Sequence, residues 1–203
     1  MNNKLQNKGN SIFGPAYWST AAAEFRKPRT LVFAALTIAL GIVMNLFNIP
    51  VSENLHVSVA FLPVTLGSMV FGPVVGLSAG VVYDLVGFMV MPSGMFFPGY
   101  TLSSMLEFFI YGVFLYRRKL SVVRILAAKF TVNYLIHVGF GSLWSAVLYG
   151  KAYYYYFWKG LIKNTILLPV EVLLLVALFQ AFFPFLVREG LIPKQERKMI
   201  PFL

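Results

Sequence analysis

Between Arg29 and Arg117 the chain has no lysine or arginine, and those 87 residues hold only three formal charges, Glu53, Asp84 and Glu107. A water-soluble fold cannot be built on such a stretch, because its surface needs charge. A lipid-embedded fold can, because each charge near the bilayer centre costs several kcal/mol. At about 20 residues per crossing the stretch has room for about four crossings. The whole chain is 59% hydrophobic and 12% charged, against about 25% charged in ordinary domains. These features predict an all-α, polytopic integral membrane protein. The apolar runs are continuous, whereas a transmembrane barrel needs strands of alternating polarity about ten residues long.

Apolar runs and breakers predict six transmembrane helices. The first is about Leu31–Phe47, ended by Asn48-Ile49-Pro50. The second, about Val57–Val70, leads through the Phe71-Gly72-Pro73 turn into the third, about Val74–Val90. A loop, Met91–Gly99, precedes the fourth, about Tyr100–Tyr116. The fifth is about Val122–Tyr149 and the sixth about Gly160–Phe183, stopped by Pro184. The expected organisation is an N-terminal tail, 1–28, a six-helix substrate-binding domain, 29–186, and a C-terminal tail, 187–203.

Basic residues choose the orientation. With both termini cytoplasmic, the inner segments carry 13 Lys and Arg and the outer loops only Lys151 and Lys159. Lys129 and Lys163 remain within spans. Tyr153–Tyr156 and Trp158 would then form an outer interfacial belt.

Several function classes fall away. The formal charge of +10 suggests nucleic acid, but the bases lie in the tails and one loop that flank spans. The absence of cysteine removes disulfides, thiol catalysis and thiolate metal sites. There is no GxxxxGK phosphate loop, no HExxH and no GxSxG elbow. No catalytic residue, metal or cofactor is expected. No cleavable signal peptide is expected either, because the polar, basic residues 1–29 lead into further membrane.

Polar residues inside the spans carry the functional signal. Lys129, Asn133 and His137 recur every four residues, with Gly141 continuing the face, so they line one side of the fifth helix. A polar stripe should face the bundle interior or a cavity; Lys129 can alternatively snorkel and Asn133 bond another helix. In the sixth helix Lys163 and Glu171 share a face. Lys163 is placed either to meet an anionic ligand from outside or to snorkel, and Glu171 either lines a site or pairs with Lys129. Gly76, Gly80 and Asp84 in the third helix read as helix packing with a buried acid. Ser103 and Glu107 share a face of the fourth. Ala35 and Ala39 give the first helix a small-xxx-small surface.

The run Phe97-Pro98-Gly99-Tyr100-Thr101-Leu102-Ser103-Ser104-Met105-Leu106, followed by Ile110-Tyr111-Gly112, resembles the fourth-span signature of the folate-family substrate-binding (S) components of energy-coupling factor vitamin transporters. Ala35/Ala39, the Phe71-Gly72-Pro73 turn with Gly76, Gly80 and Asp84, and Lys129 with Asn133 are similar to further pieces of that family. So are Gly141-Ser142-Leu143-Trp144 with Leu148 to Lys151, and Ile162-Lys163-Asn164 with Leu168 to Glu171. The resemblance runs from about Arg29 to Phe183. At Glu107 the chain departs from the pattern, in which a small residue is expected.

The resemblance implies high-affinity vitamin binding near the outer face, with folate the first candidate. It also implies a partnership with a transmembrane coupling protein and two cytoplasmic ATPases in a bacterial cell membrane, and that Ala35 and Ala39 face the coupling protein. A folate-like ligand needs aromatic faces, amide partners and cations. The candidates are Phe96, Phe97, Tyr100 and Trp144 for stacking, and Asn133, Asn164 and Ser103 for hydrogen bonds. Lys163 and His56 are candidates for the acidic end, and His137 for cavity lining. The rival readings are a stand-alone proton-coupled transporter, with Asp84, Glu107, His137 and Glu171 as relay, and a small intramembrane enzyme or scaffold.

Overall fold

In the computed structural model the residues described are 14–46, 49–52, 55–92, 94–150, 152–189 and 200–202. Helix α1 (Pro15–Ala23) and a 3-10 turn (Glu24–Arg26) lead into α2 (Pro28–Leu46). A short antiparallel hairpin, β1 (Ile49–Ser52) and β2 (Leu55–Val57), connects α2 to α3 (Phe61–Val90). Then come α4 (Pro98–Leu115), α5 (Val122–Thr131), a π-helical segment (Val132–Phe140), α6 (Gly141–Tyr149) and α7 (Tyr153–Arg188). The expectation of an α-helical membrane protein holds, with the hairpin as the one departure among the described residues. Among them, four helices are long and apolar enough to cross a membrane: Pro28–Leu46, Phe61–Val90, Val122–Tyr149 and Tyr153–Arg188.

The turn expected at Phe71-Gly72-Pro73 is a break inside α3. Gly72 has φ 78° and ψ 178°, a conformation that a side chain would resist, and Pro73 starts the second half with a fixed φ and no N–H to satisfy. The packing role expected for the α3 glycines also holds. A Cβ on Gly80 would lie 2.6 Å from Met105 Cα, and one on Gly112 2.6 Å from Pro73 N. Both contacts bring α3 and α4 backbones together at a separation that only glycine allows.

Two expectations change. Pro184 does not stop the last helix; α7 runs from Tyr153 to Arg188 and takes in both Pro169 and Pro184. In lipid a span cannot release its backbone groups to water, so proline is tolerated inside a helix there. The aromatic stretch Tyr153–Trp158 is accordingly the first turns of α7 rather than a loop before it. The N-terminal region is also more than a tail. Tyr17 and Ala21 of α1 are buried, with Tyr17 edge-on to Tyr116 at 6.0 Å and Trp18 stacked on Phe109 at 6.0 Å.

The buried core gathers Phe71, Phe108, Tyr111, Leu115, Ile125 and Phe179, residues of both halves of the chain. Large side chains elsewhere point outward without a cover: Val32, Leu36, Leu40 and Val43 on α2, and Ile162, Ile166, Val170 and Leu173 on α7. Contiguous apolar surface of this kind suits lipid rather than water.

Candidate functional site

α7 turns one face to the interior, where Tyr156, Lys159, Gly160, Lys163, Asn164 and Glu171 recur at helical spacing. Opposite lies the stripe of the fifth span, Lys129, His137, Gly141 and Ser145. Between them is a cavity lobe of about 650 Å³. A second lobe of about 470 Å³ is walled by Phe88, Phe96, Phe97, Tyr100 and Trp144. The two lobes share Asn45, Tyr83, Tyr100, Glu107, His137 and Gly141, so they adjoin. One lobe is cationic and the other aromatic, with a carboxylate at the junction. The volumes fall within the range of small-molecule sites, about 300–1,000 Å³.

The aromatic lobe is braced. Trp144 Nε1 donates to Ser103 Oγ at 3.0 Å, and Ser103 donates in turn to Gly99 O at 3.1 Å. Phe97 meets Trp144 edge-on at 5.4 Å and Tyr100 at 5.8 Å, and Phe140 stacks on Trp144 at 5.8 Å. Ser103 therefore orients the indole and retains one lone pair for other use. On the same wall Thr101 donates to Asp84 Oδ2 at 2.6 Å, so that acid has the partner expected of it but is half-buried rather than buried.

In the cationic lobe Lys129 is 1% exposed, so it does not snorkel. Its Nζ lies 3.3 Å from Glu171 Oε1 and 4.0 Å above the Phe61 ring. Asn133 donates from Nδ2 to Glu171 Oε2 at 2.7 Å, and its buried Oδ1 has no partner. It stands behind the cavity wall rather than on it. Asn164 lines the lobe, with its Nδ2 donating to Gly160 O at 2.9 Å.

The cavity thus brings together Phe96, Phe97, Tyr100, Ser103, His137, Trp144, Lys163 and Asn164 from the sequence candidates, and leaves Asn133 one step behind. His56 is on β2, and its side chain lies outside the described residues. Ala35 and Ala39 are exposed on α2, away from the cavity. The sequence reading missed Asn45, Tyr83 and Lys159. Asn45 donates to Tyr83 OH at 2.7 Å and accepts from Ser58 Oγ at 2.8 Å, which ties the hairpin's base to the lobe junction. Asn45 was visible as an amide near the end of an apolar span, the kind of residue that lipid does not tolerate unpaired.

A helical membrane bundle enclosing a polar cavity is a substrate-binding architecture, and residues 29–182 match the family described as "ECF transporter, substrate-specific component", to which the chain belongs. It is 33% identical over 150 residues to the folate transporter FolT of Clostridium novyi (strain NT), covering 74% of this chain and 87% of that protein. It is 28% identical over 161 residues to the folate transporter FolT of Leuconostoc mesenteroides subsp. mesenteroides, covering 76% and 87%. A crystal structure of FolT bound with folic acid matches with a TM-score of 0.64 at 30% identity, over 72% of this chain and 88% of that one. The chain is a multi-pass, substrate-binding transport component of the bacterial plasma membrane.

Proposed function

We propose that the two-lobed cavity binds folate and that the loaded protein delivers it through a transmembrane coupling protein driven by two cytoplasmic ATPases. The observation that carries this reading is the division of the cavity. Folate is a flat heterocycle and benzoyl ring joined to a glutamate, and the lobes offer an aromatic wall at one end and cations at the other. Phe96, Phe97, Tyr100 and Trp144 take the rings. Glu107, at the junction, accepts from the heterocycle's N–H edge, a task that a carboxylate does well. Lys163 and Lys159 take the glutamate carboxylates, with His137 and Asn164 beside them. The FolT relatives and the folic-acid-bound structure support the choice of ligand.

The test is a titration of the purified protein with folic acid, pteroic acid and riboflavin, followed by tryptophan fluorescence. Folic acid saturates at low concentration and riboflavin does nothing. Lys163→Ala weakens folic acid binding but not that of pteroic acid, which lacks the glutamate. A flat folic acid response beside a saturable riboflavin one overturns the ligand. Sustained accumulation of ligand by liposomes holding this chain alone overturns the coupling to ATPases.

Six crossings with both termini cytoplasmic place the cavity toward the outside. The two halves of α3 count separately and α4 supplies one more. Because the chain has no cysteine, single cysteines can be placed without background. Lys119→Cys should resist a membrane-impermeant maleimide in intact cells, and Lys151→Cys should react. The coupling surface is the open face of α2, where Ala35 and Ala39 leave a shallow track between exposed Val32, Leu36 and Val43. Ala35→Leu with Ala39→Leu should preserve folate binding and sharply reduce transport. Normal transport by that variant removes α2 as the docking face.

A further inference from the structure

A recess of about 360 Å³, separate from the substrate cavity, lies where α4 ends and α5 begins. Its apolar walls are Val113, Phe114, Val123 and Ala127, and its polar lining is Arg118, Arg124 and Ser121. Two guanidiniums thus border one small space, where they repel each other unless an anion separates them. Among the described residues neither has an acidic partner: Glu24 takes Lys27 and Arg117, and Glu189 takes Arg29.

The backbone shows how the adjacent arginines part company. Arg117 has φ 53°, in the left-handed region that non-glycine residues avoid. Its guanidinium goes to Glu24, whereas Arg118 borders the recess. The first amides of α5 are not the donors here. Val122 and Val123 donate to the carbonyls of Pro201 and Phe202 at 3.0 and 3.1 Å, and Arg124 N–H goes to Ser121 Oγ at 3.3 Å. The donors left are the guanidiniums and the Ser121 hydroxyl proton.

One more feature separates a lipid from a free anion. From the recess an exposed apolar track, Val123, Leu126 and Phe130, climbs α5 at helical spacing. We propose that this recess binds the phosphate of an anionic phospholipid, with its acyl chain along that track. Paired guanidiniums match phosphate oxygens bidentately, and basic pockets at the ends of membrane helices suit anionic head groups. The occupant carries net negative charge, because two cations with no acidic partner among the described residues are left uncompensated by a zwitterion.

The test uses the full chain in detergent, titrated with phosphatidylglycerol, phosphatidylcholine or inorganic phosphate, with bound lipid counted by native mass spectrometry. The wild type retains phosphatidylglycerol over phosphatidylcholine. Arg118→Gln with Arg124→Gln weakens that retention about thirtyfold. Lys119→Gln, in the same loop but not on the recess, leaves it unchanged. Folic acid binding reports that each variant is folded; if the double variant is not, each single glutamine variant carries the same comparison with about a fivefold loss. An equal loss in Lys119→Gln overturns the site in favour of diffuse surface charge. Equal retention of phosphatidylcholine overturns the preference for an anionic lipid. Displacement of the lipid by inorganic phosphate at millimolar concentration overturns the lipid in favour of a free anion.

Discussion

Glu24 and Glu171 are both buried carboxylates, 5% and 8% exposed, and the protein treats them in opposite ways. Glu24 is saturated. It accepts from Lys27 Nζ at 2.8 Å, Thr30 Oγ1 at 2.9 Å, Tyr116 OH at 2.7 Å and Arg117 at 3.3 Å, and so joins the N-terminal turn to α2 and the end of α4. Burial pushes its carboxyl up, but the bonds from Lys27, Tyr116 and Thr30 and the Lys27 charge outweigh that and hold it below the usual 4.5. Glu171 has two partners, Lys129 and Asn133, it borders the cavity, and Asn133 Oδ1 behind it is unpaired. A completed polar cluster fixes structure. An incomplete one beside a cavity keeps bonding capacity for an occupant.

The largest effect should come from breaking the incomplete cluster. Lys129→Met leaves Glu171 buried without its cation and should cost about 3–5 kcal/mol, read as thermal stability in detergent without ligand. Adding Glu171→Leu should restore more than half of it. If the second change makes matters worse, the two residues do not act as a pair. A smaller effect is expected at the completed cluster, where Glu24→Ala strands the Tyr116 and Thr30 hydroxyls at a cost of about 2 kcal/mol. Because the folded carboxyl is held below 4.5, its contribution is present in full above that pH and is lost as pH falls through the depressed value. Glu24→Gln should flatten that acid limb of the stability profile. A limb of unchanged depth in the glutamine variant assigns the acid sensitivity to another group. The smallest effect is at the aromatic lobe: Trp144→Phe keeps a ring but loses the bond to Ser103, for about 1 kcal/mol, or about fivefold in folate affinity.

The same pair of sites shows what could be read in advance. The Lys129–Glu171 meeting was one of the options open in the sequence, because both residues are ions inside apolar runs and ions there need each other. The aromatic wall was legible because Phe97, Tyr100 and Ser103 sit in one short segment. The Glu24 cluster was not legible. Its key partners, Tyr116 and Arg117, lie more than ninety positions away, and nothing local distinguishes Glu24 from any acid ahead of a span. Asn133 was placed on the cavity wall because spacing gives a face but not a depth. The run of α7 through Pro184 was missed because the breaker rule comes from water, where an interrupted helix has somewhere to send its carbonyls.

The π-helical segment Val132–Phe140 governs the angular phase of everything after it. In an unbroken α-helix, Ser145 would point about 160° away from Lys129, since each residue advances the turn by about 100°. Yet Lys129, His137, Gly141 and Ser145 all border the same lobe. The wider turns absorb the drift, so a repeat of four residues runs straight up the helix instead of winding around it. The segment works as a phase corrector. Deleting one residue within it would let the helix relax to ordinary pitch, returning the drift of about 160° less the roughly 100° of the missing residue, and so rotate α6 by about 60°. That would carry Trp144 off the cavity wall without altering a single cavity side chain.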